Sequence, residues 1–158
     1  MSHRNRIRVR PLMSFDFDAV TDLLSNPEVM TYIGPKHPLS HNEISDWFND
    51  YMNAQDNNRV SRHPIVLRHS NELIGFCGVK EKNNRYDFGF YFRRKFWGRG
   101  YALEACQLIY PKARECYGKK LEIFIASDNM ASLKLAKRMG WRPCSNGVMD
   151  SLSGIYFH

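Results

Sequence analysis

The sequence predicts a single mixed α/β domain, and three observations indicate this fold class. With 158 residues, of which 43% are hydrophobic, the chain suits one domain with a substantial core, and it shows no internal repeat or linker-like stretch. Apolar residues recur at helical spacing in the first third and at strand spacing in the middle. The last third alternates between the two, so we expect one domain over residues 1–158, a mixed and mainly antiparallel sheet flanked by helices.

The chain begins with one predicted strand and two predicted helices. Ile7 and Val9 alternate with arginines, which indicates a strand with one face in water. A helix is expected from about Phe15 to Leu24, ending before Pro27. Ser40-His41-Asn42-Glu43 is a capping box, in which two side chains satisfy each other's backbone N–H groups, and it predicts the start of a second helix. The apolar residues of this helix are expected in the core: Ile44, Trp47, Phe48 and Tyr51.

The middle of the chain predicts a three-stranded meander. Residues 59–68 and 72–81 have the pattern of two strands joined by a short turn. Asn83-Asn84 forms a second turn into a third strand, Tyr86–Phe92.

Two further helices alternate with short strands in the last third. Gly98-Arg99-Gly100 precedes a helix through about Tyr117, and Pro111 should kink it because proline cannot donate to the helical ladder. Asn129 caps a second helix that ends at Gly140, where a left-handed residue belongs. The strands are expected at Leu121–Ala126, near Trp141–Cys144 and at Leu152–His158.

Composition limits the compartment and the ligand. Twenty-three basic against 16 acidic residues give a net charge of +7, which suits an anionic ligand. The four cysteines form no Cys-x-x-Cys pair and the histidines show no ligand spacing, so we expect reduced thiols and no metal. The longest apolar run, Leu73–Val79, is too short for a membrane span, and no apolar stretch follows the basic N-terminus. A cytoplasmic protein without a membrane partner is the expectation.

The most informative segment joins the strand Tyr86–Phe92 to a helix through a glycine-containing turn. Such a turn presents free backbone N–H groups at a helix N-terminus, where a phosphate binds well. Gly98 and Gly100 let an anion approach the backbone, and four basic residues add positive charge nearby: Arg93, Arg94, Lys95 and Arg99. The alternative interpretation is a plain strand-to-helix turn with a solvated basic face. Neither the Rossmann fingerprint nor the P-loop motif is present.

A second segment, Ile123–Ser132 with the later Gly140-Trp141, is informative together with the glycine turn. Together the two segments resemble the GNAT acetyltransferase superfamily, particularly its ribosomal-protein N-terminal acetyltransferase-like (RimJ/RimL-type) branch. The matching motifs are the strand with Gly89, Trp97-Gly98-Arg99-Gly100-Tyr101-Ala102, Glu104-Ala105 and Asn129-x-x-Ser132. The specific resemblance spans about residues 73–141, and the order of elements fits the remainder.

This resemblance implies acetyl-CoA as co-substrate and an amine as acceptor. The backbone of Phe90, Tyr91 and Phe92 would pair with the pantetheine arm, and Asn129 would contact the same region. The pyrophosphate would lie on the amides of the turn: Trp97, Gly98, Arg99, Gly100, Tyr101 and Ala102. Lys95 stands at the first position of the family's pyrophosphate motif, where Gln or Arg is usual, a departure that leaves the backbone cradle intact.

For catalysis, a base must take the amine's proton and an acid must protonate the leaving thiolate. Asp87 matches the carboxylate often found at the start of this strand, and its alternative role is a carboxylate paired to an arginine. Many family members place a Tyr acid seven residues after the motif Asn, but Ala136 stands there. Ser132 aligns with the serine proposed as the acid in the resembling branch, and its alternative role is a first-turn residue bonded to nearby backbone. Catalysis by positioning alone stays open.

Acceptor choice is assigned to the loop Thr31–His41, the second helix and Ser145–Ser151. These regions hold no dense acidic cluster, so a peptide N-terminus or small amino compound is favoured over a polyamine. The alternatives are a non-catalytic acyl-CoA-binding relative and a basic RNA-binding protein, whose bases could stack on aromatic residues near the turn: Phe90, Tyr91, Phe92, Phe96 and Trp97. The cofactor interpretation is favoured over nucleic acid, and monomer or homodimer is left open.

Overall fold

The structure, a computed structural model, describes residues 5–58 and 61–158. Within these residues seven strands form one sheet in the order β1-β2-β3-β4-β5-β7-β6. The strands are β1 (Ile7–Val9), β2 (Arg62–Leu67), β3 (Leu73–Lys82), β4 (Arg85–Phe92), β5 (Leu121–Ala126), β6 (Pro143–Met149) and β7 (Leu152–Phe157). The helices are α1 (Phe17–Leu24), α2 (Pro27–Met30), α3 (His41–Asp56), α4 (Tyr101–Tyr117) and α5 (Met130–Met139).

Neighbouring strands run antiparallel except at one place in the middle of the sheet. β4 and β5 run parallel and pair only at Tyr86↔Leu121 and Asp87↔Glu122. Beyond these two pairs the strands separate, so one edge of β4 has no partner strand. The predicted mixed, mainly antiparallel sheet flanked by helices is confirmed, and the separation of β4 from β5 positions the site.

Each face of the sheet is covered by its own hydrophobic core. On one face α4 and α5 pack with Phe88, Phe92 and Trp141. On the other face α1 and α3 pack with Phe76, while Tyr91 is partly buried against them. Successive residues of β4 therefore alternate between the two layers, as expected for a strand covered on both sides.

Local signals predicted most elements well. Ser40 caps α3 in the expected box with Glu43, Asn129 caps α5, and Gly140 ends α5 in a left-handed conformation. The strand Leu121–Ala126 has the predicted bounds. α4 continues through Pro111 to Tyr117, and the kink expected there stays a prediction. The predicted strand over 59–68 is observed as Arg62–Leu67, while Arg59 and Val60 lie outside the described residues.

Two predictions were wrong in detail. The arginines of the first segment do not all face water, because Arg10, directly after β1, is buried and donates to both carboxylate oxygens of Asp16, at 2.7 and 2.8 Å. The sixth strand was expected to end at Cys144 but continues to Met149. Asp150 and Ser151 both have positive φ and form a tight turn, so Met149 pairs with Leu152 and the strand can extend.

In the described ranges, no helix combines the length and the apolar character needed to cross a membrane.

Candidate active site

A groove of about 690 Å³ opens where β4 and β5 separate. Its volume lies within the usual range for ligand pockets, about 300–1,000 Å³. β4 and β5 form its walls, and Asn129 and Ser132 line it from the start of α5. The loop Tyr32–Lys36 and the turn at Asp150 and Ser151 complete the lining. Parts of two regions predicted to choose the acceptor therefore border the groove.

The exposed edge of β4 is the wall suited to an extended ligand. Past Asp87 the strand has no β5 partner, so its outward backbone groups can pair with an added chain, as in strand addition. Phe90 and Tyr91 line the groove at this edge, and the buried side chain of Phe92 anchors the end of the strand.

The turn between β4 and α4 leaves a run of backbone amides available. Gly98 and Gly100 have φ values of 75° and 84°, which glycine adopts at little cost. The N–H groups from Gly98 to Ala102 donate to no acceptor among the described residues. The Trp97 amide differs, because it donates to the Arg94 carbonyl at 3.1 Å. These free amides and the α4 dipole form a site for an anion.

The basic cluster predicted beside this turn is mostly neutralised. Arg93 is buried and pairs with Asp22 at 2.8 Å and Glu72 at 2.9 Å, so it holds the fold together rather than facing a ligand. Lys95 also pairs with Glu72, at 3.2 Å, and Arg94 pairs with Glu28. Arg99 is the one member with no ion pair inside the described part of the chain, and its side chain is exposed. The amides and Arg99 therefore carry the attraction for an anion.

The aromatic residues near the turn do not form a stacking platform. Phe92 and Phe96 are only 5% and 7% exposed and belong to the core. Tyr91 is packed against Phe76, with ring centroids 5.6 Å apart. Trp97 is partly exposed, but its indole donates to the Phe92 carbonyl at 2.8 Å and Arg94 covers its ring. This arrangement disfavours binding of RNA bases at these rings.

Asp87 lies at the closed end of the groove, on the central strand β4. Its carboxylate accepts a hydrogen bond from Arg62 of β2 at 2.8 Å, while its second oxygen is buried without a partner in the described residues. Burial raises the pKa of Asp87 from the usual 3.8 to about 6, despite the opposing effect of Arg62. A carboxylate with this pKa, ionised at neutral pH, is well matched to accepting a proton.

Glycines on two strands make the Arg62–Asp87 pair possible. Arg62 lies opposite Gly78 of β3, and Gly78 lies opposite Gly89 of β4, so the guanidinium crosses the sheet above both. A Cβ added at Gly89 would stand 2.8 Å from Cζ and Nε of Arg62. Because Gly89 has no side chain, it leaves the space that the Arg62 guanidinium occupies.

Gly89→Ala should consequently separate Arg62 from Asp87 without unfolding the sheet, because the clash falls on the flexible end of a side chain. Losing the guanidinium removes an effect that lowers the pKa of Asp87, so that pKa should rise above its wild-type value of about 6. The measurement is an NMR pH titration of the Asp87 carboxyl carbon. Gly89→Ala together with Arg62→Ala should titrate like Gly89→Ala alone. An unchanged titration in the single variant would contradict this assignment for Gly89.

Asn129 and Ser132 meet at the N-terminus of α5. The Asn129 side chain accepts from the Ser132 amide at 3.4 Å, so the asparagine caps the helix and also lines the groove. The Ser132 hydroxyl has no hydrogen-bond partner in the described ranges, and it lines the same groove. Ala136 is fully buried one turn further on. Tyr32 is a second hydroxyl along the groove, and burial and then Asp128 raise its pKa.

Arg62 and Lys80 line the groove beside Asp87, and the sequence analysis indicated neither of them as a site residue, whereas Tyr32 belongs to the loop predicted to choose the acceptor. For Lys80 a signal existed, because a two-residue turn at Asn83-Asn84 fixes the hairpin register and places Lys80 opposite Asp87. Arg62 comes from a strand two places away in the sheet, and no local pattern indicates that contact.

Among the residues that the structure describes, no three His, Cys, Asp or Glu side chains are grouped to hold a metal ion.

Known proteins share this architecture. A solved acetyltransferase from Agrobacterium tumefaciens strain C58 superimposes with a TM-score of 0.77 at 23% identity, covering 98% of this chain and 91% of that one. The structure of yncA from Salmonella typhimurium with acetyl-CoA gives 0.66 at 15% identity, covering 97% and 92%. At such identities the likeness concerns the fold. The uncharacterised N-acetyltransferase p20 from Bacillus licheniformis is 23% identical over 144 residues, 89% of this chain and 81% of its own length.

Residues 6–142 match the family described as "Acetyltransferase (GNAT) domain". That range contains the strand with Asp87, the glycine turn before α4, and the start of α5 with Asn129 and Ser132. The chain belongs to the GNAT acetyltransferase family.

Proposed function

We propose that this protein is an N-acetyltransferase that transfers the acetyl group of acetyl-CoA directly to a primary amine, on a peptide N-terminus or a small amino compound. The observation that carries the proposal is the groove between β4 and β5, which lies beside a glycine turn with free amides in a GNAT-family chain. The acetyl-CoA bound to the similarly folded yncA supports the choice of cofactor.

In this proposal the cofactor follows the exposed edge of β4. The pantetheine arm pairs with the backbone of Phe90, Tyr91 and Phe92, and Asn129 contacts it from α5. The pyrophosphate lies at the start of α4, held by backbone amides, the Arg99 side chain and the helix dipole. Lys95 stands at the edge of this site, where its pair with Glu72 leaves most of the attraction to the amides and Arg99. The residues of the turn are Trp97, Gly98, Arg99, Gly100, Tyr101 and Ala102; because the Trp97 amide is already engaged, the five that follow it do most of the binding.

The chemistry needs a base, an electrophilic site and an acid. The amine nitrogen attacks the thioester carbonyl carbon, a C–N bond forms and the C–S bond breaks. Asp87 accepts the proton that the amine loses, directly or through one water molecule. A backbone N–H near Tyr91 donates to the developing oxyanion. Ser132, whose hydroxyl lines the groove, passes a proton to the CoA thiolate and regains one from solvent, while Asp87 releases the amine's proton to solvent.

Ligand-dependent melting tests the cofactor assignment. A ligand present at a hundred times its dissociation constant adds about 2.7 kcal/mol of stability, which means roughly 5–10 °C for a chain of this size. We expect this shift with acetyl-CoA and none of that size with ATP or a short RNA. A shift with RNA alone would show that the positive charge, and not the groove, determines what this protein binds.

A further inference from the structure

A second cavity lies on the opposite face of β4, beneath α3. It measures about 230 Å³, small beside the usual pockets of about 300–1,000 Å³, so it suits a small molecule. One helical face supplies one side of it, at i, i+3, i+4 and i+7: Trp47, Asp50, Tyr51 and Ala54. Arg62, Lys80 and Tyr91 supply the sheet side, and these three residues also line the cofactor groove. The two spaces therefore meet beside Asp87.

Three of the eight residues that line this cavity are aromatic: Trp47, Tyr51 and Tyr91. Trp47 and Tyr51 stack with ring centroids 5.4 Å apart, and the Tyr51 hydroxyl donates to the Arg62 carbonyl at 2.6 Å. Tyr91 stacks on Phe76, and burial raises the pKa of Tyr91 to about 12, so its phenol stays neutral. Such walls suit a hydrocarbon group of a few carbons.

Two cations, Arg62 and Lys80, lie where the two spaces meet, beside the carboxylate of Asp87. Arg62 donates from one Nη to Asp87, while its Nε has no partner in the described residues. Lys80 forms no ion pair within the described ranges, and desolvation, with Arg62 and Lys82 nearby, lowers its pKa against the opposing effect of Asp87 and Asp150. Asp50 is the one acid among the described residues that line the cavity, and it is exposed on α3. An acceptor at the junction thus meets two cations next to the carboxylate proposed to take its proton.

This juxtaposition limits the acceptor. Lys80 lies directly opposite Asp87 in the sheet, and side chains so placed stand about 4.5–5.5 Å apart at Cβ. A polyamine would bring further positive charge against Arg62 and Lys80. A peptide N-terminus would offer Lys80 a neutral carbonyl. An amine with its own carboxylate one carbon away satisfies both the cations and Asp87.

We propose that this cavity binds the acceptor and that the acceptor is a small, apolar α-amino acid. Its carboxylate lies on Arg62 and Lys80, its hydrocarbon side chain lies between Trp47 and Tyr91, and its amino group faces Asp87 and the thioester. The two cations also favour the neutral, nucleophilic form of the amine. This assignment rests on the proposed function and narrows its substrate class.

Acceptors that share one side chain and differ at the carboxylate test the amino-acid proposal. Leucine, leucinamide and isopentylamine share one side chain, and only leucine has a carboxylate; methionine and phenylalanine series extend the set. Each amine is incubated with acetyl-CoA at a pH well above the pKa of Asp87, and the acetylated product is quantified by mass spectrometry. We expect at least one free acid to have a kcat/KM about tenfold or more above that of its amide, the effect of one charge-assisted hydrogen bond.

Lys80→Gln is the diagnostic variant, with Lys112→Gln on the exposed face of α4 as its charge-matched control. Lys80→Gln should raise KM for the preferred acid about tenfold and leave kcat and the KM of the amide nearly unchanged. A merely structural role for Lys80 would affect acid and amide alike. Lys112→Gln should behave as wild type.

The failures are distinguishable. If amides or dipeptides are acetylated as well as the free acids, the amino-acid assignment is overturned and the N-acetyltransferase proposal stands. If acetyl-CoA binds but no amine in a broad panel accepts acetyl, both are overturned.

Discussion

Asp87→Asn should lower kcat/KM for acetyl transfer about a hundredfold while acetyl-CoA still binds, since a general base typically contributes 10²- to 10⁴-fold. The asparagine keeps the shape of the side chain but cannot take the amine's proton. The loss of the Asp87 carboxylate leaves Arg62 without an ion-pair partner, so the fold of the variant is checked by thermal melting. Asp46→Asn, on the exposed side of α3, is the matched control and should retain full activity.

The role of Asp87 as base also predicts how kcat/KM changes with pH. In the wild type kcat/KM should fall as pH drops through about 6, because the carboxyl becomes protonated there. Arg62, Lys80 and Arg85 lower this pKa and Glu122 raises it, while burial has the largest effect. The acidic limb should be absent from the residual activity of Asp87→Asn. A variant with the wild-type profile would return Asp87 to the role of an arginine partner.

The same pKa has a consequence for stability. Folding raises the pKa of Asp87 above 3.8, so its contribution to stability is present below about pH 4 and is lost as pH rises through about 6. Asp87→Asn should remove this part of the pH dependence of unfolding.

Gly98→Val should abolish measurable acetyl-CoA binding and leave a folded protein. A Cβ at Gly98 would meet no protein atom within 4 Å, so it projects into the open space where the proposed pyrophosphate lies. Because φ is 75°, the variant should also lose about 1–2 kcal/mol of stability. The melting shift produced by acetyl-CoA, absent in the variant, is the measurement.

Gly140→Val provides a close control for that experiment. Gly140 has the same φ of 75° and equally open surroundings, but it ends α5 at the terminus away from Asn129. It should lose similar stability and keep the acetyl-CoA shift. Loss of the shift in both variants, or in neither, would contradict the placement of the pyrophosphate.

The sequence predicted those features of the site that depend on neighbouring residues. Gly98 and Gly100 mark a turn that needs positive φ before α4. Asn129 caps α5. These signals lie within a few residues of the structures they specify, so the strand–turn–helix could be located. Asp87 could be placed on the strand Tyr86–Phe92 for the same reason.

What the sequence did not reveal depends on strand order and on contacts between distant segments. Arg62 reaches Asp87 across β3, over two glycines whose purpose is visible only in the sheet. Arg93 belongs to a basic run, yet Asp22 and Glu72 neutralise it from elsewhere in the chain. The acceptor cavity combines α3 with three strands, so its charge balance could not be derived from any one segment.

In the function that we propose, the groove and Asp87 together transfer acetyl from acetyl-CoA to an amine. The most direct measurement is the release of free CoA thiol, followed with and without amine, with the acetylated amine quantified in the same reaction. We expect equal amounts of both products, release that requires the amine, and strong loss of both products in Asp87→Asn. Release that is independent of amine, or tight acetyl-CoA binding with no acetylated product from any amine, would contradict it.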